Sequence, residues 1–476
     1  MSTESPSRKV LLDVRSHLAP IPRGDYIDHF FQVPPNASKV GIVLSFHKQR
    51  VAQLFLSLHS PAGFRGNRMN PSGRGDIVLE LWATPNDSSE GAVAGPLPAG
   101  QWRAQIDVES VKEDVDYRLE AYAEFDRVPE PLVFNYPADH VTKAAAGWYK
   151  GELHCHSTES DGRFPVATVV QAAQDLGLDF LSLTDHFTIS QWRKLAPLVN
   201  DRLAIIRACE ITSHQGHANL HGIREWVDVY VDREGNSMDK AADRVHAQGG
   251  LFCINHAYSG SLAWQAFDFD WSKADMIEVY HNLEGSNNAF HAPLWDRQLA
   301  RGHHVVGVAG VDSHRIYDGT HRLGDLVTWV YARELSEKGI IEGLRKGNVY
   351  LSRGPEMRFT ASNGAGDKAA MWESLPLGKG PVSFDVQVKS TQPMWMFVFK
   401  NGYLLDTQRI EAGIGQWQTA AFADNPKNPA YYRIELHNIF ESVIYGGIQW
   451  RDSNTAQVFS NPIWVGYDQM KPGTCL

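Results

Sequence analysis

Two histidines separated by one residue begin the part of the sequence that is richest in groups able to do chemistry. His154 and His156 lie in the segment GELHCHSTESDG. Residues two apart in a strand point to the same side, so both imidazoles can reach one metal ion while Cys155 points away. The turn-like STESDG after them adds the carboxylate of Asp161. A single HxH also fits an ordinary strand, so its interpretation depends on the residues further along the chain.

Residues of metal-binding types recur at the ends of later apolar runs. They are His186 in TDH, Glu210 in ACE, His256 in INH, and Asp312 and His314 in VDSH. With the HxH pair, five strand-like runs end in such residues, which an ordinary fold does not explain. The recurrence predicts a metal centre, and mixed nitrogen and oxygen ligands suit Mn, Fe or Zn better than softer metals.

The elements that must position these residues alternate between short apolar strands and amphipathic helices. LDFLSLTDH follows the helix-like FPVATVVQAAQDLG, and GLFCINH follows MDKAADRVHAQG. This alternation predicts an α/β fold of βα repeats, open or closed, over residues 148–355. The polar residues come directly after the strands, at the edge where α/β barrels place their active sites.

The flanking regions show the shorter period of β-structure. Residues 1–145 contain alternating runs such as VGIVLSFH and AQLFLSLHS between clusters of Gly, Pro, Asn and Ser, which predicts an antiparallel β-sandwich. Residues 356–476 contain VSFDVQVKS, MWMFVFKNG and YYRIELHN, which predicts a second β-rich, sandwich-like domain. We therefore expect three domains.

Composition narrows the classes of protein to consider. The 476 residues carry 45 basic and 55 acidic side chains, a formal net charge of −10, so we do not expect binding to a long nucleic acid. The four cysteines lack CxxC spacing, and we expect buried thiols. We find no apolar run of ~18 residues and no signal-peptide pattern, so we expect no membrane span and a cytoplasmic location.

The ordered motifs HxH, SDG, TDH, a strand-end Glu and a final DxH resemble the polymerase and histidinol phosphatase (PHP) superfamily over about 200 residues. The pieces GHAN, DSH followed by HRLG, and YLSRGP are similar to its narrower CehA/McbA-like branch, which includes carbaryl hydrolases. The resemblance implies a distorted (β/α)7 barrel that holds two or three divalent ions, usually Mn, Fe or Zn.

The resemblance also implies a ligand set. One ion would be held by His154, His156, Glu210 and Asp312; a second by Glu210, His256 and a hairpin histidine; and a third by Asp161, His186 and His314. The GHAN motif favours His217 as the hairpin ligand, whereas the spacing in other relatives, eleven residues after the Glu, favours His221. His281, which ends IEVYHN, is an alternative or an addition to His256.

Most members of the superfamily hydrolyse phosphoesters, so we expect a small phosphomonoester or phosphodiester as substrate. A hydroxide bound by the cations would be the nucleophile, with Glu210 and Asp312 acting through the ions that they hold. Arg322 in HRLG and Arg353 in LSRGP are candidate clamps for the phosphate.

Two alternatives remain open at this stage. One is hydrolysis of a carbamate or carboxylic ester, in keeping with the branch resemblance. The other is a ligand-binding protein with a degenerate barrel, against which the full set of ligand types argues. Assembly into a homo-oligomer is also left open.

Overall fold

In the residues that it describes, the computed structural model of this protein is a mixed α/β structure dominated by β-strands. These residues are 7–21, 24–70, 73–125, 135–227, 237–281, 288–317, 322–438 and 455–467. Cys155, Cys209 and Cys253 are buried free thiols, as expected, whereas Cys475 lies outside the described residues. No helix in the described ranges combines the length and the apolar character needed to cross a lipid bilayer.

The first part of the chain forms two antiparallel sheets, which we call the N-terminal sandwich. Its strands are β1 (Arg8–Leu18), β2 (Asp25–Val33), β3 (Lys39–Lys48), β4 (Ala52–Ser60), β5 (Gly63–Met69), β6 (Gly75–Ala83), β7 (Gly100–Val111) and β8 (Val115–Glu124). The sheet orders are β1-β8-β3-β6 and β2-β7-β4-β5. Alternate residues of β3, such as Val40, Ile42 and Leu44, are buried in the core between the sheets, as the period of a strand requires.

Strands and helices alternate through the next part of the chain, which we call the central region. They are β9 (Val141–Lys143), β10 (Gly147–Glu152), α1 (Val166–Asp175), β11 (Phe180–Leu183), α2 (Gln191–Leu195), β12 (Ala204–Ser213), β13 (Gly216–His221), α3 (Met238–Ala247), β14 (Leu251–Ile254), β15 (Met276–His281), α4 (Asn288–Ala300), β16 (Val306–Gly310), β17 (Val327–Ala332), β18 (Leu335–Ser336), α5 (Glu337–Arg345) and β19 (Val349–Ser352), with short 3-10 helices at Ala196–Leu198, Gly260–Leu262 and Trp271–Lys273. Strands β10, β11 and β12 are parallel, as are β14, β15 and β16, and β13 lies antiparallel between the two groups. Strands β11, β14 and β16 are buried along their whole length, as is typical of parallel strands covered on both faces.

The sheet of the central region curves until its first and last parallel strands meet at their carboxyl ends. The backbone N–H of His156, after β10, donates to the carbonyl oxygen of Ser313, after β16, at 2.9 Å. The N–H of Ser313 donates in turn to the carbonyl oxygen of His154 at 3.3 Å. The carboxyl ends of the strands therefore face a common interior.

Local sequence signals determine where two of the central helices begin. The hydroxyl of Ser237 accepts a hydrogen bond from the N–H of Lys240 at the start of α3, and Ser336 has the same role at the start of α5. Serine is a favoured N-cap because its side chain pairs an N–H that the helix leaves free. In the first turn of α5, Glu337 also forms an ion pair with Arg207 of β12 at 3.0 Å, which holds this helix against the sheet.

The remaining strands form another layer and also extend the central sheet. They are β20 (Glu356–Asn363), β21 (Lys368–Ala370), β22 (Ser374–Leu375), β23 (Val382–Lys389), β24 (Met394–Lys400), β25 (Tyr403–Ile410), β26 (Gln418–Asp424), β27 (Ala430–His437), β28 (Ala456–Ser460) and β29 (Ile463–Val465). Strands β21, β20, β23 and β26 form a separate sheet, whereas β28, β27, β24 and β25 continue the central sheet through β19. Phe359 and Phe384 from the separate sheet pack against Met396 and Ile434 from the extended one.

The α/β class expected from the sequence is confirmed, but strand–helix alternation is interrupted in the central region. The connection from β12 leads through a tight hairpin to β13 instead of a helix, and β17 runs antiparallel to β10. Apart from β9 and β18, which pair with each other, the strands of the central region belong to a mixed sheet that has 15 strands in the described residues and runs across the expected boundary at residue 355.

A buried arginine joins this extension to the central helices. Arg433 on β27 is 1% exposed, and its guanidinium donates two hydrogen bonds to the carboxylate of Asp296 on α4, at 2.7 and 2.6 Å. It also donates to Glu435 at 2.6 Å. Such bidentate, charge-assisted pairs are stronger than neutral hydrogen bonds, so they fix α4 against the sheet.

Candidate metal centre

Histidine and carboxylate side chains converge inside the central region, at the edge of the sheet where its parallel strands have their carboxyl ends. Most of them are at most 7% exposed, namely His154, His156, His186, Glu210, His217, His256, His281 and Asp312. Asp161 and His314 lie beside them and are partly buried. Five groups of three or more such side chains in the described residues have ligand atoms close enough to hold a metal ion. Burial of so many ionisable groups is costly unless they bind one another or a cation.

Because these five groups share residues, we describe the site by three groups of our own, numbered first to third. The first group combines both histidines of the HxH motif with Glu210 and Asp312. Nε2 of His156 lies 2.9 Å from Oδ1 of Asp312 and 3.5 Å from Oε2 of Glu210. Nε2 of His154 lies 3.4 Å from each of the same two oxygens. Two atoms that bind one ion at about 2.1 Å are themselves about 3.0–3.4 Å apart at octahedral or tetrahedral angles. The four distances from these two histidines to the two carboxylates are therefore close to those between ligands of one ion.

A second group forms at the other oxygen of Glu210. Oε1 of this residue lies 3.1 Å from Nδ1 of His217 and 3.4 Å from Nε2 of His256. The side-chain amide of Asn255 donates a hydrogen bond to the same oxygen at 2.8 Å. Glu210 thus directs one carboxylate oxygen to each group, an arrangement suited to a pair of neighbouring cations.

The third group contains Asp161, His186 and His314 and shares His156 with the first. Oδ1 of Asp161 lies 3.1 Å from Nε2 of His314 and 3.6 Å from Nε2 of His186. The ring of His156 stacks on the rings of His186 and His314, with centroid separations of 4.3 and 4.4 Å. Three potential ion positions are therefore contiguous.

The two candidate histidines of the β12–β13 hairpin lie at opposite ends of β13. His217 is paired with Thr212, close to the turn, whereas His221 lies four residues, or roughly 13 Å, further along the strand. Nδ1 of His221 is 2.7 Å from the hydroxyl of Ser182, and burial lowers the pKa of His221 to about 3. His217 belongs to one of the five groups and His221 to none of them.

Glu278 and His281 on β15 line the site behind His154. Oε1 of Glu278 lies 2.6 Å from Nδ1 of His154, and Oε2 accepts a hydrogen bond from the N–H of His256 at 2.7 Å. Nε2 of His281 lies 3.7 Å from Glu278 and 3.9 Å from Asp312. Residues three apart in a regular strand face opposite sides, but a β-bulge after Glu278 brings both side chains inward. His256 and His281 therefore both reach the site.

Several polar atoms in this site have no hydrogen-bond partner among the described residues. They include Nδ1 of His156, Nδ1 of His256 and both ring nitrogens of His281. A buried polar atom without a partner costs about 1–3 kcal/mol, and native proteins seldom leave one unpaired. A divalent cation would bind acceptor atoms of this kind, so the residues present fit a metal centre better than a closed hydrogen-bonding network.

Mutual electrostatics set the protonation of the site. Burial alone would raise the pKa of Glu210, but the neighbouring histidines hold it well below its usual value. Asp312 has a lowered pKa for the same reason. Burial, together with the nearby His186 and His314, lowers the pKa of His156 to about 4. Ionised carboxylates and a neutral imidazole are the forms that bind a cation.

Backbone conformation is unusual at three positions in the site. The φ angle is 46° at Phe187, next to His186, 22° at His256 and 54° at Asp312. Left-handed conformations cost non-glycine residues on the order of 1–3 kcal/mol and tend to occur at functional sites, where the surrounding structure enforces them. Packing around this site therefore fixes where its ligand-type side chains point.

Asp185 supports the loop that carries Asp161. Its carboxylate accepts hydrogen bonds from the N–H and the hydroxyl of Ser157, at 2.8 and 2.7 Å, and from the hydroxyl of Ser160 at 2.7 Å. Burial raises the pKa of Asp185 to about 6, an effect that these hydrogen bonds oppose. Asp185 thus orders a ligand-bearing loop and belongs to none of the five groups.

The two arginines expected to face an anionic substrate have other contacts. Arg322 is exposed and forms an ion pair with Asp325 at 3.1 Å. Arg353, which follows β19, has its guanidinium carbon 5.2 Å from the ring centroid of Tyr280. Their role towards substrate stays a prediction.

Comparisons with known proteins find similarity to one curated protein and to several solved structures. No protein-family model matches the chain. A stretch of 59 residues is 37% identical to the DNA polymerase/3'-5' exonuclease PolX of Bacillus subtilis. The stretch covers 12% of this chain and only 10% of the length of that protein.

Among solved structures, the chain is similar to a two-domain protein of Bacteroides vulgatus described as containing a predicted PHP-like metal-dependent phosphoesterase. The identity is 15%, the TM-score is 0.38, and the match covers 71% of this chain and all of that one. An amidohydrolase of Chromobacterium violaceum matches with 16% identity and a TM-score of 0.30, over 36% of this chain and 89% of that one.

Sequence reasoning missed two residues of the site. Glu278 holds His154, and its signal is a lone carboxylate inside the apolar run MIEVYH. Asn255 holds Glu210, and its signal is the position directly before His256 at the end of β14. Glu278 belongs to one of the five groups, with His154 and His281, but it lies within β15 and not at the end of an apolar run. Asn255 carries an amide, which is not among the ligand types that the sequence search used. A search for such types at strand ends therefore passes over both residues.

Proposed function

We propose that this protein is an enzyme, a metal-dependent hydrolase that acts on ester bonds. The observation that carries the proposal is the set of buried histidines and carboxylates at the strand ends, several of whose atoms lack a hydrogen-bond partner among the described residues. A binding protein with a degenerate barrel is disfavoured, because a degenerate site is expected to lose members of such a set.

The contacts support one assignment of ligands to two or three divalent ions. His154, His156, Glu210 and Asp312 would hold the first ion; Glu210, His217 and His256 would hold the second; and Asp161, His186 and His314 would hold the third. His281 is close enough to supplement His256. Mixed nitrogen and oxygen ligands favour Mn, Fe or Zn.

The protein's own residues prepare these positions. When bound, divalent cations lower the pKa of water towards neutrality and offset charge on the reacting ester. The contact between Nδ1 of His154 and Glu278 leaves Nε2 of the same ring free to act as a ligand. Asn255 fixes the Glu210 oxygen that faces the second group. Both partners keep a ligand oriented before any ion arrives.

Within ester hydrolysis, we favour a small phosphomonoester or phosphodiester as substrate. Three neighbouring cations are best suited to offset the charge of a phosphate dianion. The motif order that resembles the PHP superfamily supports this choice, and GHAN, HRLG and YLSRGP support its CehA/McbA-like branch. On this proposal the curved central sheet corresponds to the distorted (β/α)7 barrel of that superfamily.

Hydrolysis of a carbamate or carboxylic ester is the second candidate. The ion pair between Arg322 and Asp325 favours it, because a neutral ester needs no free guanidinium near the reacting carbonyl. This alternative needs the same metal centre and differs only in how the substrate is held.

A substrate panel separates the two candidates. Protein loaded with Mn, Zn or Fe is assayed with nitrophenyl phosphate, bis-nitrophenyl phosphate and naphthyl carbamate, as wild type and as Arg322→Ala and Arg353→Ala. If an arginine holds phosphate, its loss lowers kcat/KM on phosphoesters roughly thirtyfold and leaves carbamate turnover nearly unchanged. Brisk carbamate cleavage without turnover of either phosphoester would overturn the phosphoester proposal.

A further inference from the structure

The turn of the β12–β13 hairpin lies between two candidate ligands. Glu210 comes three residues before Ser213, the last residue of β12, and His217 is the second residue of β13. Ser213 closes the turn, since its hydroxyl donates to the carbonyl oxygen of Gly216 at 3.0 Å and accepts the N–H of Gln215 at 3.1 Å. His214 is therefore at the tip of the element that carries the second group.

The imidazole of His214 forms ion pairs with the N-terminal sandwich. Its Nε2 lies 2.9 Å from Oδ1 of Asp107, and its Nδ1 lies 3.1 Å from Oε2 of Glu109, both on β7. The ring of Tyr26 on β2 meets His214 edge-on at 5.0 Å, and Gly24 lies directly beside it. The hairpin tip is thus held by residues distant from it in the sequence.

These two carboxylates are unusual in being buried on the outer face of a sandwich. Ile106 and Val108 of β7 point into the core of the sandwich, so Asp107 and Glu109 point the other way. They are nevertheless only 2% and 4% exposed. Burial of two adjacent carboxylates is costly without a cation, and His214 is placed to supply one as an imidazolium.

The same sandwich contacts a second ligand-bearing segment. The guanidinium of Arg68 on β5 donates to the carbonyl oxygen of Thr158 at 3.1 Å, and the hydroxyl of Thr158 donates to Glu90 at 2.9 Å. The N–H of Gly91 donates to Glu159 at 3.3 Å. Thr158 and Glu159 lie in the loop between His156 and Asp161, so the sandwich contacts the ligand-bearing structure at two separate places.

We propose that His214 is a positioning residue for the metal centre, which ties the hairpin of Glu210 and His217 to Asp107 and Glu109 and makes the N-terminal sandwich part of the site. This inference rests on the proposed function and assigns a role to a domain outside the central region. A ligand set works only if its atoms are held to a fraction of an ångström, and the hairpin carries ligand atoms on both sides of His214.

Electrostatics at the tip favour the charged form of His214. Burial alone would lower its pKa, but the hydrogen-bonding and Coulombic effects of Asp107 and Glu109 outweigh burial and raise the pKa to about 10. Among the described residues, the ionisable groups in contact with the ring are these two carboxylates on β7 and the phenol of Tyr26 on β2. At neutral pH, His214 is therefore charged, and its ion pairs with Asp107 and Glu109 are formed.

Zinc titration of the metal-free, full-length protein tests the proposal. We expect His214→Gln to weaken binding of one equivalent of Zn²⁺ by roughly tenfold to a hundredfold, the effect usual for residues that orient metal ligands. Asp107→Asn, which keeps the imidazole and Glu109, should give a smaller loss of the same kind. His214→Lys restores a cation and should recover much of the affinity, which loss of packing alone would not predict.

The matched control is Arg193→Gln. Arg193 on α2 pairs with Asp87 of the same sandwich at 2.7 Å but lies on no ligand-bearing segment, so its loss should leave Zn²⁺ binding unchanged. If wild type binds two or more equivalents and both His214→Gln and Asp107→Asn bind them equally well, the role of His214 is refuted. If wild type itself binds no Zn²⁺, the proposed function fails, whatever the variants do.

Discussion

At the scale of single residues, Glu210 has the most demanding position, because its two carboxylate oxygens face different groups of histidines. Glu210→Gln should weaken two ions together, since a neutral amide cannot balance two cations. Turnover should fall by a factor on the order of 10³ or more. Metal content and kcat/KM of the purified variant measure this, with circular dichroism to confirm that it folds.

The matched variant for this prediction is Glu278→Gln. Glu278 contacts the ring of His154 and the backbone N–H of His256 but does not lie between two of the three groups, so we expect a milder loss of metal affinity, roughly tenfold to a hundredfold. Near-normal turnover of Glu210→Gln would contradict the bridging assignment.

The hairpin histidines give a second residue-scale prediction. His217→Ala should remove the second ion and most activity, because Nδ1 of His217 lies 3.1 Å from Glu210. His221→Ala removes a ring that contacts Ser182 instead, so metal content should stay at the wild-type level while stability falls. Elemental analysis of both variants measures the difference, and loss of metal only from His221→Ala would reverse the assignment.

Residue types and strand order predicted that these histidine and carboxylate side chains lie close together, because the carboxyl ends of neighbouring parallel strands converge; that they bind metal stays a prediction. The same reasoning missed Glu278, since its inward direction depends on a β-bulge that leaves no mark in the sequence. It also left His217 and His221 open, because strand parity is the same for both and only the register of β12 against β13 separates them.

At the scale of elements, the contact between α4 and β27 depends on Arg433. Arg433→Met would leave Asp296 and Glu435 as buried carboxylates without their cation, and we expect a loss of about 3–5 kcal/mol in the free energy of unfolding. Arg409→Gln breaks an exposed ion pair with Glu411 and should cost less than about 1 kcal/mol. Urea denaturation of both variants measures the contrast, and equal losses would contradict the role given to Arg433.

Individual elements were easier to predict than their neighbours in the sheet. Apolar runs such as LDFLSLTDH and GLFCINH locate β11 and β14, whose residues are all buried. The pairing of β19 with β28, more than a hundred residues later, depends on contacts that no local pattern encodes. The domain boundary expected at residue 355 is an example. The hydrophobic pattern of the sequence changes there from alternating strands and helices to strands alone, whereas the sheet continues across it.

At the scale of the whole molecule, the contact between the N-terminal sandwich and the central region should depend on pH through His214. Its pKa is about 10 in the folded protein, above the usual value near 6.5. The imidazolium therefore stabilises the fold fully below about pH 6.5, and this contribution disappears as the pH rises towards 10.

We accordingly expect wild type to be more stable than His214→Gln at pH 6 and the difference to shrink steadily up to pH 9.5. Urea denaturation of both proteins across this range measures it. A difference that is constant with pH would show that charge on His214 does not hold the two parts together.

The measurement that tests the central claim most directly is elemental analysis of protein purified without chelator, before and after reloading with Mn, Zn or Fe. Three contiguous groups of ligand-type residues predict two or three transition-metal ions per chain, and Glu210→Gln should retain at most one of them. Less than one equivalent in wild type, unchanged by reloading, would contradict the multinuclear centre and the hydrolytic function built on it.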